Sequence, residues 1–405
     1  VAHSLRDLHP TPLVSQALWD AYEKNVAPLI LTLHKPTIRN LVRKAATNAE
    51  FLDAISEALV FAVYFAAVMS MKPAECRDQL GLERQIAIQH YRFAAGKALS
   101  RADSLHVRFL SVLQAAVLFL IVAWRCDHVR FVWAMTALVY RLAQGLGLHR
   151  DGEKPGLGPF ETEVRRRLWW YIYLLDSQTS EHQARSPQIY EGTYDTEFPL
   201  NVNDDDLSPE ATVPFQEREG FTEMTFCLIR CEINVRYRRI LKGIMPGLGP
   251  TRLSVEDTAY ALTETSTFIE NKRLKYCDLS VAIQWVAATI TRIALARSWL
   301  VAHLSLIGSD DLSSDLWQQD WPPRVWVLWK PLSRLMERVT ARRANDISTG
   351  NPQQLPVSFL PDFTHIPSTW ASQQPETSTT GASDPGSDTL VMEMYRDIVR
   401  DMTID

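Results

Sequence analysis

A chain of 405 residues that is 46% apolar can bury one large core or two to three smaller ones. Its 42 basic and 47 acidic residues leave a net charge of -5, which argues against DNA binding by these residues themselves. Five scattered cysteines, at 76, 126, 227, 231 and 277, and the lack of any Asn-x-Ser/Thr acceptor point to a reducing interior compartment.

The chain opens on Val1 with no basic-then-apolar leader, which argues against secretion and reads as a fragment or processed product. From Trp19 to about Thr340 the residue spacing predicts a succession of helices with few credible strands. The predicted helices cover 15–26, 37–48, 50–70, 82–102, 105–124, 128–146, 161–182, 217–242, 255–275, 279–304 and 324–345. Pro28 and Pro36 break the opening segment, and Pro36-Thr37 can start the next helix. Two uncharged runs, Ala58 to Met71 and Phe109 to Trp124, fall short of the ~20 residues that a membrane-spanning helix needs, so they read as buried helices. No repeat of fixed length is present.

The middle of the chain is the most informative part. Val132, Met135, Val139, Leu142 and Leu146 form one buried helical face, and Gly145 and Gly147 give the chain a way out. The next helix carries Glu161 and Glu163 in its first turn, where the exposed amides favour negative charge. Arg165, Arg166 and Arg167 follow. Consecutive helical residues turn by about 100°, so three arginines cannot share a face. At least one must lie near the packed side and needs a carboxylate or carbonyl partner. Leu168, Tyr171, Ile172 and Leu175 continue the apolar stripe beside Trp169 and Trp170, and Asp176 ends the run. From Pro199 to Leu207 the chain is too polar and too rich in Asn to be a helix interior.

Past Ser348 the composition changes. Gly350 to Asp388 is rich in Pro, Ser, Thr, Gln and Gly, with almost nothing to bury. Leu390 to Met402 regains helical spacing, with Val391, Met394, Tyr395, Ile398 and Met402 on one side. The organisation is therefore a helical domain over 1–348, a disordered Pro/Ser/Thr-rich linker over 349–388 and a short amphipathic helix over 389–405. That last helix reads either as an activation segment or as a closing helix that folds back or frays.

Motifs of bond-making chemistry do not survive inspection. Cys227 and Cys231 share a helical face and could supply half of a metal site, but no second pair stands at ligand spacing, so buried structural cysteines are favoured. His149, Arg150 and Asp151 suggest acid/base work; capping of the preceding helix by His149 or Arg150, with Asp151 paired to an arginine, explains them at less expense. Asp204, Asp205 and Asp206 could hold a hard cation, yet they lack EF-hand spacing and read as solvated turn residues. The paired glycines lack the third glycine of a dinucleotide loop, and neither a nucleophile elbow nor a His-Glu-x-x-His zinc motif is present, so no enzyme is recognisable. Arginine clusters at 230–239 and 334–343 read as solvated helix faces, and Trp317, Trp321, Trp326 and Trp329 read as core or as pocket lining.

Taken together, LGLHRDG at 146–152, PFETEVRRRLWW at 159–170, LLD at 174–176 and DTEFPLNVNDDDL at 195–207 resemble the middle homology region of fungal zinc-cluster transcription factors. The segment from Trp19 to Thr37 is similar to the start of that region, and the likeness runs to about Arg239. The resemblance implies an all-α, large multi-helix regulatory domain of a nuclear transcription regulator. Its signature here is Gly147, His149, Arg150, Asp151, Gly152, Glu163, Arg165, Arg166, Arg167, Trp169, Trp170, Asp176, Pro199, Asn201 and Asp204. It implies no catalytic, metal or cofactor residue in this chain, with zinc confined to a six-cysteine DNA-binding cluster upstream of Val1. The partners it implies are transcriptional co-regulators, a small-molecule effector or a second copy, DNA through the upstream module alone, and no membrane. A stand-alone effector-binding or corepressor module, or a metabolic enzyme derived from the same fold, is the alternative.

Overall fold

The computed structural model describes residues 5–102, 109–126, 129–151, 156–183, 185–244 and 255–306. Among them the chain is helical, with no strand, as its periodicity predicts. The predicted helix at 324–345, the tryptophan cluster at 317–329, the linker at 349–388 and the segment at 389–405 lie outside the described residues, as does Gly152.

The described residues divide into two units: 5–236 with 267–291, and 237–266 with 292–306. In the first, α1 (Pro12–Ala21) runs into a π-helical turn (Tyr22–Val26), followed by α2 (Lys35–Asn48) and α3 (Ala54–Ser70). A single short turn, α4 (Pro73–Glu75), and a second π-helical turn (Cys76–Leu80) lead to α5 (Arg84–Arg101), α6 (Leu110–Ala123), α7 (Val129–Gly145) and α8 (Pro159–His182). Residues 185–224 form an extended strap. Beyond it lie α9 (Thr225–Ile244), α10 (Val255–Lys272) and α11 (Ala282–Leu306). The second unit, made from parts of these last three helices, buries Ile240, Leu262, Ile293 and Leu295.

α3 is apolar on every face, and a helix of that kind must be surrounded. It is buried from Glu57 to Ser70 and packs against α1, α2, α5 and α6. The uncharged runs thus become the buried helices α3 and α6, and no helix among the described residues is long and apolar enough to cross a membrane. α6 and α7 carry α8, whose inner residues from Arg167 to Ser177 are all buried.

Two of the helix starts that fall later than the spacing predicts do so because the chain before them is bonded elsewhere. The helix expected from residue 50 begins at Ala54 because the Asp53 carboxylate takes the amides of Ile55 (3.0 Å) and Ser56 (2.8 Å) as an N-cap. The helix expected from 217 begins at Thr225 because the backbone before it is already engaged: Arg218 N donates to Asn201 O at 2.9 Å, and Glu217 accepts from Asn201 N at 2.9 Å. At Asp53 a local side-chain bond competes with the helix ladder, and before Thr225 the competing bonds come from the distant Asn201.

Candidate functional site

The site is the junction of α7, α8, the strap and the opening segment. α7 ends in a Schellman motif: Leu148 N reaches Ala143 O (3.0 Å) and Gly147 N reaches Gln144 O (2.9 Å). Gly147 sits at φ +74°, a conformation that glycine adopts without steric cost.

The turn directs residues 148–151 against the strap. Thr196 Oγ1 donates to Leu148 O at 2.7 Å and Asp195 N to His149 O at 3.1 Å. In return Asp195 accepts from Asp151 N at 2.7 Å and pairs with Arg150 at 3.2 Å. The amide of Asp151, followed by Arg150, holds the exposed Asp195 carboxyl below its ordinary range.

α8 opens on Pro159 at its first position, and its three arginines diverge as helix geometry demands. Arg165 points back to α7, donating to Leu146 O at 3.0 Å and to Glu161 at 3.0 Å. The α7 terminus is therefore closed by Arg165 and not by His149 or Arg150. A distant arginine can reach a free helix carbonyl that these residues, turned toward the strap, leave open.

Arg166 grips Asp151 through two hydrogen bonds, from Nε (3.0 Å) and Nη2 (2.5 Å), and also reaches Glu197 of the strap at 2.5 Å. Burial works against its charge, but these carboxylates raise its pKa further.

Arg167 points into the core. It is 2% exposed, with Glu163 at 3.0 Å on its own helix and Asp204 at 2.5 Å on the strap. Glu163 and Asp204 are themselves 1% and 0% exposed. Burial pushes the Glu163 carboxyl up and Arg167 pulls it down; the Leu200 amide also donates to it, at 3.1 Å.

Asp204 is thus a buried ligand of an arginine and corrects the reading of the aspartate run as solvated. Its two neighbours differ: Asp205 is exposed and Asp206 pairs with Arg218 near the surface. Asp204 also accepts Lys35 N at 2.7 Å, while His34 Nε2 lies 3.1 Å from its carbonyl oxygen. Its own amide donates to Glu223 at 2.9 Å, and Glu223 pairs with the Lys35 ammonium. One carboxylate therefore ties the opening segment, α8 and the strap together.

Asn201, buried in the strap, has a complete set of partners. Its Nδ2 donates to Arg218 O (2.8 Å) and Gly220 O (3.0 Å), and its Oδ1 accepts from the Thr222 and Thr225 hydroxyls (2.9 and 3.0 Å) at the start of α9. Asp176 is fully buried and accepts the amides of Gln188 and Ile189, each at 3.0 Å. Trp170 donates to Glu197 O at 2.8 Å and stacks on Phe198 at 4.3 Å, next to the buried Pro199. Trp169 lies between the rings of Tyr140, His149 and Tyr194.

The signature read from the sequence thus gathers at one junction, Gly152 apart. Spacing missed His34, Lys35, Thr222, Glu223 and Thr225, and it placed Tyr171 in the apolar stripe without its partner. Tyr171 accepts Leu31 N at 2.7 Å from the opening segment. Their partners across the junction, Leu31, Asn201 and Asp204 among them, lie far away in sequence.

Chemically the junction is a clamp. Among the described residues no group of three or more His, Cys, Asp or Glu is placed to hold a metal ion. The dent between Leu148, Asp151, Arg165 and Thr196 has room for about one water molecule. Cys227 and Cys231 are buried free thiols with their sulfurs 4.0 Å apart. The Cys231 hydrogen bond draws the Cys227 pKa down, and burial pushes that of Cys231 up.

A family model described as the fungal specific transcription factor domain matches residues 19–245, more than half of the chain. The chain belongs to that family. The match encloses every clamp residue from Leu31 to Thr225. The chain is 34% identical over 292 residues to the aurofusarin cluster transcription factor aurR2 of Gibberella zeae, covering 71% of this chain and 43% of that one. It is 38% identical over 223 residues to the pyriculol/pyriculariol biosynthesis cluster transcription factor 1 of Pyricularia oryzae, covering 55% and 30%. With the C6 finger domain transcription factor adaR of Aspergillus niger the identity is 33% over 232 residues, covering 56% and 30%. The alignments thus span less than half the length of these curated relatives. No solved structure matches the chain.

Proposed function

We propose that this domain is the regulatory middle homology region of a fungal zinc-cluster transcription regulator and works in the nucleus. It controls DNA-templated transcription through intramolecular, co-regulator or effector contacts, while a zinc cluster upstream of residue 1 supplies DNA binding. The carrying observation is the clamp around Arg167, in which Glu163 and Asp204 of the signature hold three chain segments in one arrangement. Such a junction is suited to passing on a change in conformation.

The relatives support this reading, since each is named as a transcription factor. The charge balance supports it too: a mildly acidic chain without a groove-reading module is not a DNA reader. The test has two arms. In a gel shift, residues 1–405 alone are expected to give no sequence-specific complex. Joined to a heterologous DNA-binding module, the same residues are expected to change reporter output relative to that module alone. A sequence-specific shift by the chain alone, or a fusion indistinguishable from the bare module, overturns the proposal.

A further inference from the structure

α5 has an outer face that its packing does not explain. The helix carries Arg84, Arg92, Lys97 and Arg101 and no carboxylate. Its inner side, from Ala87 through Tyr91 to Leu99, is buried on α3. On the opposite side Ile86 and Phe93 are 54% and 55% exposed. They stand seven residues apart, two helical turns, and so lie one above the other on the same stripe.

Lys97 continues that stripe, with its ammonium 5.6 Å above the Phe93 ring. The other cations are differently employed: Arg84 donates to the carbonyls of Met69 and Met71, and Arg101 pairs with Glu57. A large apolar ring beside a lysine, on a helix with no negative side chain, fits an amphipathic helix with acids along one border. A second copy of α5 would set cation against cation.

The C-terminal residues 390–402 fit that description. In 390–402 the apolar residues Leu390, Val391, Met394, Tyr395, Ile398 and Met402 recur at helical spacing. Glu393, Asp397 and Asp401, each four residues from the next, fall along one border of that stripe. A coil with the length of 349–388 has an r.m.s. span of about 35 Å.

We propose that the outer face of α5, formed by Ile86, Phe93 and Lys97, is the docking site for the chain's own segment 390–402. Met394 and Ile398 seat against Ile86 and Phe93, and Asp397 faces Lys97. Docking covers the exposed apolar face of α5 and the apolar face of the segment together. The proposal stands apart from the transcriptional reading and does not depend on its outcome.

Amide hydrogen exchange on residues 1–405 tests it. Amides of 390–402 are expected to exchange about tenfold or more slowly than those of the same sequence as a free peptide. Ile86→Ser and Phe93→Ser change exposed side chains, so the melting temperature is expected to hold while that protection disappears. Lys97→Glu is expected to weaken the protection, and Asp397→Lys in the same chain to restore it. Exchange in the wild-type chain at the free-peptide rate overturns the proposal. So does protection that survives Phe93→Ser, or protection that appears only as protein concentration rises, which assigns the segment to a second copy.

Discussion

Arg167→Ala is expected to cost the domain roughly 3–5 kcal/mol, the usual penalty for removing one partner of a buried charge pair. Two carboxylates, on Glu163 and Asp204, would be left facing each other with no cation between them, each at most 1% exposed. Urea denaturation gives the measurement directly, as a shift of the midpoint at unchanged slope. Arg166→Ala is expected to cost less, because its side chain and that of Asp151 are 16% and 18% exposed and solvent screens what remains. The pH dependence has a definite sign. In the variant, burial of Glu163 is no longer opposed by Arg167, so the folded state holds a proton there more tightly than the unfolded chain does. Stability is then lost as pH rises through the raised pKa and is regained on acidification. A double-mutant cycle between Arg167→Ala and Asp204→Ala should show strong non-additivity, since each substitution removes the same contact. Additive losses, or an Arg167→Ala midpoint equal to that of the wild type, would contradict the assignment.

Asn201→Ala is expected to destabilise the chain by about 2–4 kcal/mol, although no charge is lost. The amide joins the carbonyls of Arg218 and Gly220 to the hydroxyls of Thr222 and Thr225. Each buried group left without its partner costs ~1–3 kcal/mol, and Thr222 keeps some compensation because the Met224 amide also donates to it. Asn201→Asp should be no milder. The aspartate would keep the Thr222 and Thr225 hydroxyls on one oxygen but place its second oxygen, without a donor, against two carbonyl oxygens. Thermal melts of both variants decide the matter; a melting temperature within experimental scatter of the wild type for either one would show that Asn201 merely occupies space.

Much of this junction was legible from helix geometry. Three arginines in a row on an apolar helix had to point three ways, and Arg165, Arg166 and Arg167 end on a helix terminus, a loop and a buried carboxylate respectively. The glycine exit at Gly147 was legible because a positive φ favours that residue. What the sequence hid was the partner of each group. Asp204 sits in a run of three aspartates, and composition alone makes such a run look solvated. Only the tertiary fold brings it to Arg167, 37 residues away, and to Lys35, 169 residues away. His34, Lys35 and Glu223 were illegible for the same reason, since periodicity reports which face of a helix is buried and never what that face meets. The misplaced start of α9 has a related origin. The residues from 217 onward look helical by composition, but Asn201 and its neighbours take their backbone groups first.

The central claim is that the buried Arg167 clamp makes the opening segment, α8 and the strap one cooperative element. Amide exchange resolved at Lys35, Leu200 and Asp204 tests it most directly, because each of these amides donates to a carboxylate of the clamp. In the wild-type chain the three are expected to open together, with a common free energy close to that of global unfolding. In Arg167→Met, which keeps most of the side chain's volume, all three are expected to exchange faster by a common factor, while amides in the middle of α3 keep exchanging only through global unfolding. Three unrelated opening energies in the wild type, or acceleration confined to one of the three in the variant, would contradict the account.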